Sequence, residues 1–196
     1  MPSAPNDPLD VVDWPVATGT LRLRRATPDD ADAVWRYWRL PEVNQYLPRA
    51  STDPEEFRAF FTEPSRLARA VVVELHGQVV ADLMLRIGDA WAPLEVAEHA
   101  KGVQAELGWA ADPAITGRGL ATEAVQALVA VCFGPLGLRR VVASAFTVNT
   151  RSVRMMERLG MRRETAAIKA ELNRSLEWVD SYTYALLREE WLTDRA

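Results

Sequence analysis

The sequence Leu21-Arg22-Leu23-Arg24 alternates apolar and charged side chains, the period-two pattern of a short strand with one buried face. Thr27-Pro28-Asp29-Asp30 then predicts a helix start, with Thr27 as N-cap, proline in the first turn and acids at the positive end of the helix dipole. A helix is expected over 31–40, and Ser51-Thr52-Asp53-Pro54 opens a second one reaching about Phe61. Two β-rich runs, 70–75 and 79–85, flank His76-Gly77-Gln78 and predict a hairpin. Residues 88–103 interrupt the pattern with Gly88, Pro93 and a short helix around 94–100. A connection of that length suits a binding loop better than a passive link.

Further along, 103–111 reads as a strand, and Leu120, Ala124, Leu128 and Val131 mark one face of a helix over 120–133. A strand follows over 140–146. A short helix after Asn149 ends at Gly160, strands are expected around 161–171 and 178–187, and Arg188-Glu189-Glu190-Trp191 closes the series. Strands and helices alternate through both hairpins and crossovers, so the fold class is α/β or α+β with a mixed sheet flanked by helices. By contrast, the first 16 residues carry Pro2, Pro5, Pro8 and Pro15 with three acids and no period. Residues 1–18 are therefore expected to form a flexible acidic arm, with the folded domain at 19–196.

Composition narrows the class. The 196 residues are 48% hydrophobic and 26% charged, which suits one globular domain. One cysteine, Cys132, excludes a disulfide framework, and His76 and His99 lie far apart, so no metal site is expected. No apolar run approaches a membrane span and no secretory signal stands at the N-terminus, so a cytoplasmic protein without membrane attachment is expected. The net charge of -4 is concentrated in Asp7, Asp10 and Asp13, which leaves the rest near neutral and offers no basic field for nucleic acid.

The chemistry-bearing segment is 105–125, where a strand runs through a glycine-containing loop directly into a helix. That geometry aims unpaired backbone N–H groups at one point, with the helix dipole behind them. Gly117 and Gly119 let an anion approach the main chain, and a phosphate or pyrophosphate is the natural ligand. The same glycines also suit a tight turn that binds nothing, and the loop alone does not choose. The Walker lysine and the third glycine of a dinucleotide fingerprint are both missing.

Three ordered blocks do choose. Glu106-Leu107-Gly108-Trp109 with Asp112-Pro113 and Gly117-Arg118-Gly119-Leu120-Ala121-Thr122-Glu123-Ala124 resembles the acyl-CoA-binding motif of the GNAT superfamily of N-acetyltransferases. The run from Asn149 to Met161 is similar to that family's second motif. Asp180 to Leu187 with Glu190-Trp191 resembles the branch containing the ribosomal-protein alanine N-acetyltransferases.

The resemblance implies a single GNAT-like domain whose sheet is splayed at the acyl-CoA site, and acetyl-CoA as acyl-donor cosubstrate. It implies that Gly117, Arg118, Gly119, Leu120, Ala121 and Thr122 hold the pyrophosphate through the main chain. Trp109, Ala110 and Ala111 would meet the pantetheine arm, and Asn149 and Ser152 would add cofactor contacts; Arg154 shares a helical face with Arg151 and Arg158 that suits plain surface solvation and also the reach to a CoA phosphate. Thr116 stands where the family pattern has Gln or Arg, which removes one side-chain donor. Met156 stands where many members have an acidic tyrosine.

Acetyl transfer needs a neutral amine, a polarised thioester carbonyl and a proton for the departing thiolate. Glu106 is the expected base, on a strand where burial would raise its pKa, though it equally suits an arginine-paired strand carboxylate. Ser152 is the expected acid by resemblance, and it equally suits a local cap. Glu123 reads as a structural carboxylate at a helix start. The expected reaction is direct attack by a primary amine, on a small molecule or a protein N-terminus, in a ternary complex. The alternative is a non-catalytic acyl-CoA sensor on the same fold, and a homodimer is left open.

Overall fold

The computed structural model describes residues 7–193. Its strands are β1 (Val16–Ala17), β2 (Leu21–Arg25), β3 (Ala70–Leu75), β4 (Gln78–Gly88), β5 (Gln104–Ala111), β6 (Arg140–Phe146), β7 (Arg162–Leu172) and β8 (Trp178–Leu187). Its helices are α1 (Ala31–Trp38), α2 (Pro41–Asn44), α3 (Pro54–Phe61), α4 (Pro64–Leu67), α5 (Leu120–Phe133), α6 (Thr150–Arg158) and α7 (Arg188–Thr193). The strands form one open mixed sheet in the order β1-β2-β3-β4-β5-β6-β8-β7. Every neighbouring pair is antiparallel except β5 and β6, which are parallel and joined by the crossover helix α5.

The parallel pair positions the site. β5 and β6 pair only at Gln104↔Arg140, Ala105↔Val141 and Glu106↔Val142. Beyond Glu106, β5 continues to pair with β4 as far as Ala111, while β6 continues with β8 as far as Phe146. The two strands therefore diverge and open a V in the middle of the sheet.

Strand alternation sorts side chains onto two faces. Leu83, Leu85, Ala105, Leu107, Val141 and Ala143 pack with α5 in the larger core, whereas Val72, Val79 and Ala110 pack with α1 and α3 in the second core. α1 is seated by Asp82, buried on β4, which accepts from the Tyr37 hydroxyl at 2.9 Å and the Trp38 indole at 2.6 Å. Burial pushes the Asp82 carboxyl above the usual carboxylate range despite these donors. α5 is buried over more than the one expected face, and at its C-terminal end Trp191 of α7 lies 5.6 Å from Phe133 between ring centroids.

Residues 7–18 correct the expectation of a loose arm. Asp7 caps a turn over Pro8–Val11, Leu9 is 2% exposed and Val12 5%, and β1 pairs with β2. The Trp14 indole donates to the Leu9 carbonyl, and Asp7 pairs with Arg25 at 2.7 Å. The apolar residues of this stretch are spaced irregularly, so they bury through a turn and carry no period. Residues 1–6 of the expected arm lie outside the described residues. The connection 88–103 is ordered by a 3-10 helix over Leu94–Ala100 and by Ala90 donating to the Ala100 carbonyl at 2.8 Å.

Candidate active site at the splayed strands

The end of β5 builds the glycine loop. The Asp112 N–H donates to the Val80 carbonyl, and its carboxylate accepts from the Ala114 N–H at 2.9 Å, capping a turn over Pro113–Ile115. Ile115 is 4% exposed and anchors that turn in the core. Gly117 and Gly119 then take φ values of +79° and +78°, left-handed backbone that side-chain-bearing residues avoid. A Cβ on either glycine would meet nothing within 4 Å, so their requirement is conformational and the space before them is open.

Among the described residues, the N–H groups of residues 117–122 have no protein acceptor; the next amide, Glu123, returns to the Gly119 carbonyl. They form a fan of donors at the N-terminus of a 14-residue helix, a geometry suited to pyrophosphate oxygens. Glu123 faces away from it, accepting from the hydroxyls of Thr18 and Thr20, which agrees with a structural carboxylate. Arg118 and Arg154 are exposed and have no side-chain partner among the described residues.

Inside the V, the stretch Trp109-Ala110-Ala111 pairs with Leu83, Asp82 and Ala81 of β4 on one side only. Half of its main-chain groups therefore face the gap, as an added extended chain would require. Trp109 lies on the α5 side and donates its indole N–H to the Ser152 hydroxyl at 3.2 Å. Asn149 caps α6, its side-chain oxygen accepting from the Ser152 N–H at 3.3 Å. Ser152 thus accepts from Trp109 and keeps its own hydroxyl proton available. Met156 is fully buried in the core and takes no part in the gap.

Glu106 sits where β5 and β6 last pair, on the sheet face of α1 and α3 and opposite to Trp109. Its side chain is 36% exposed, so the burial expected there is not present. Its register partner on β4, Arg86, forms an ion pair with it instead. Sequence reading missed Arg86, although the antiparallel register of β4 on β5 brings it directly opposite Glu106. On the next strands, the hydroxyls of Ser144 and Thr183 lie 3.0 Å apart on the same face. A wall of this face is closed by Arg174 in the β7–β8 turn, which donates to the Leu47 carbonyl at 2.6 Å and the Asn44 carbonyl at 3.3 Å.

The remaining sequence candidates fall outside this constellation. Cys132 is buried and its thiol is pushed up to about 12 by burial, which leaves it protonated and unreactive. His76 occupies the β3–β4 turn at a φ of +51°. Among the described residues, no helix is long and apolar enough to cross a membrane.

Comparison with known proteins identifies the family and the fold. Residues 20–162 match the family of acetyltransferase (GNAT) domains. An uncharacterized N-acetyltransferase, YnaD of Bacillus subtilis, is 30% identical over 176 residues, covering 90% of this chain and 98% of the relative. A GNAT-family acetyltransferase of Bacillus anthracis, solved by crystallography, superposes with a TM-score of 0.76 at 30% identity, over 90% of this chain and 100% of that one. The fold is also that of RimL, a ribosomal L7/L12 alpha-N-protein acetyltransferase solved with coenzyme A. It has a TM-score of 0.70 at 20% identity and covers 89% of this chain and 98% of that one.

Proposed function

The chain belongs to the GNAT acetyltransferase family and is an acetyl-CoA-dependent acetyltransferase, and from that membership we propose that it acetylates a primary amine by direct attack in a ternary complex. The observation that carries this reading is the V between β5 and β6, with a donor-rich glycine loop at its open end and Glu106 at its closed end. Acetyl-CoA is a substrate here and supplies the acetyl group. The main chain of residues 117–122 holds its pyrophosphate, and Trp109, Ala110 and Ala111 run beside its pantetheine arm. Asn149, Arg118 and Arg154 complete the contacts.

In this reading the acceptor enters from the face of α1 and α3. Its nitrogen lone pair forms a bond to the thioester carbon, the carbon–sulfur bond breaks, and the nitrogen gives up one proton. Glu106 takes that proton, directly or through a water, and Ser152 donates to the departing thiolate before recovering a proton from solvent. Glu106 lies across the sheet from Ser152, so acid and base approach the reacting carbon from opposite sides. Arg86 pairs with Glu106 and fixes the carboxylate at this end of the V.

The test is thiol release from acetyl-CoA against a panel of small amines, amino acids and peptides beginning with Ala or Ser. Amine-dependent release with intersecting double-reciprocal lines is expected. Parallel lines, or an acetylated protein intermediate, would contradict direct transfer.

A further inference from the structure

We propose that Arg86 is a specificity residue that holds a carboxylate of the acceptor, so that the preferred acceptor is a small zwitterion with its amine one or two carbons from a free carboxylate. The inference rests on the amine-acetylation reading above. Arg86 and Glu106 are cross-strand partners at the closed end of the V, on the face where the acceptor enters. Only one guanidinium nitrogen of Arg86 is used in their ion pair, and the Arg86 side chain is 57% exposed. Its other N–H groups have no protein partner among the described residues, and Glu106 likewise keeps one carboxylate oxygen free. A planar guanidinium with open donors matches a carboxylate through two parallel hydrogen bonds.

Two other arginines on the neighbouring strands of this face each engage two guanidinium nitrogens. Arg140 bonds to Gln104 and Glu164, and Arg162 bonds to Glu164 and Glu190. Arg86, in direct contact with Glu106 and using one nitrogen, keeps more of its donors open than either. The pair presents one negative and one positive group in contact, each half satisfied by the other and half open. An α- or β-amino acid meets both, its ammonium on Glu106 and its carboxylate on Arg86. A polyamine would bring a second positive charge against Arg86, and a longer peptide has no carboxylate next to its N-terminal nitrogen.

The experiment compares free amino acids with their own carboxamides, measuring kcat/KM for amine-dependent thiol release in the wild type and in Arg86→Gln. The expected acid-to-amide preference is roughly tenfold or more in the wild type, falling to about one in the variant. Equal use of acid and amide by the wild type, or a preference that survives Arg86→Gln, would overturn the proposal. The same acid and amide pairs are also tested for a shift in melting temperature of the CoA-saturated protein. A shift by the acid alone, abolished in Arg86→Gln, supports the carboxylate site even if no acceptor turns over, in which case the acetylation reading fails separately. Equal shifts by acid and amide overturn it.

Discussion

The indole N–H of Trp109 donates to the Ser152 hydroxyl at 3.2 Å, joining the strand on one side of the V to the helix on the other. Through this bond the serine is held by a donor and not by an acceptor. Asn149 fixes the Ser152 backbone from below, so side chain and main chain are both oriented. Positioning of this kind lets a weak acid meet a leaving group without first reorganising.

Replacing Trp109 with Phe keeps an aromatic ring and removes the donor. A hydrogen bond of ordinary strength is worth about 0.5–1.5 kcal/mol, so kcat should fall by roughly 2- to 10-fold. The fall should disappear when Ser152→Ala is already present, because the bond then has no acceptor. Steady-state kinetics of the two single variants and the double variant measure this.

The glycine loop makes a paired prediction. Gly119→Ala imposes a side chain at φ +78° and should lower stability by about 1–2 kcal/mol while abolishing the rise in melting temperature that acetyl-CoA gives. Gly137→Ala, at φ +60° and also in open space, should lose comparable stability and keep the ligand-induced rise. A thermal-shift titration of both variants separates backbone strain from loss of the anion cradle.

Much of this site was legible in the sequence because its signals are local. Gly117 and Gly119 before an apolar helix, and Asn149 before a short one, are cap chemistry written in consecutive residues, and helix α5 lies at its expected limits. The Arg86–Glu106 pair was not legible in that way. It depends on the register of β4 on β5 across a 15-residue connection, which no local pattern fixes. The burial expected of Glu106 failed for a related reason: β6 leaves β5 at that residue, and solvent enters where a paired strand would have excluded it. The N-terminal segment was misread because proline and acid content masked Leu9 and Val12, two apolar side chains with no periodic neighbours.

Deleting residues 1–15 should therefore destabilise the protein. Leu9 and Val12 are nearly inaccessible, and burying such side chains is worth about 1.5–3 kcal/mol each. A loss of about 3 kcal/mol or more is expected in chemical denaturation, together with loss of the Asp7–Arg25 pair.

A pH-dependent test concerns Asp30 at the start of α1. Burial works to raise its pKa, but two Arg24 hydrogen bonds at 2.7 Å and the Thr27 N–H outweigh it and hold the carboxyl below its usual range. A carboxylate with a depressed folded-state pKa stabilises the fold above its unfolded pKa, about 3.9, and loses that contribution as pH falls through the folded value. Asp30→Asn should therefore cost about 1–3 kcal/mol at pH 7. Its deficit relative to wild type should shrink below about pH 4, as read from urea unfolding across pH.

The central claim, that Glu106 at the closed end of the V removes the acceptor's proton, is tested most directly by turnover of Glu106→Gln with acetyl-CoA affinity measured alongside. A positioned general base contributes roughly 100- to 10,000-fold. The account predicts a loss in that range with acetyl-CoA binding essentially unchanged, and a smaller loss for Ser152→Ala. Wild-type turnover by Glu106→Gln would contradict it.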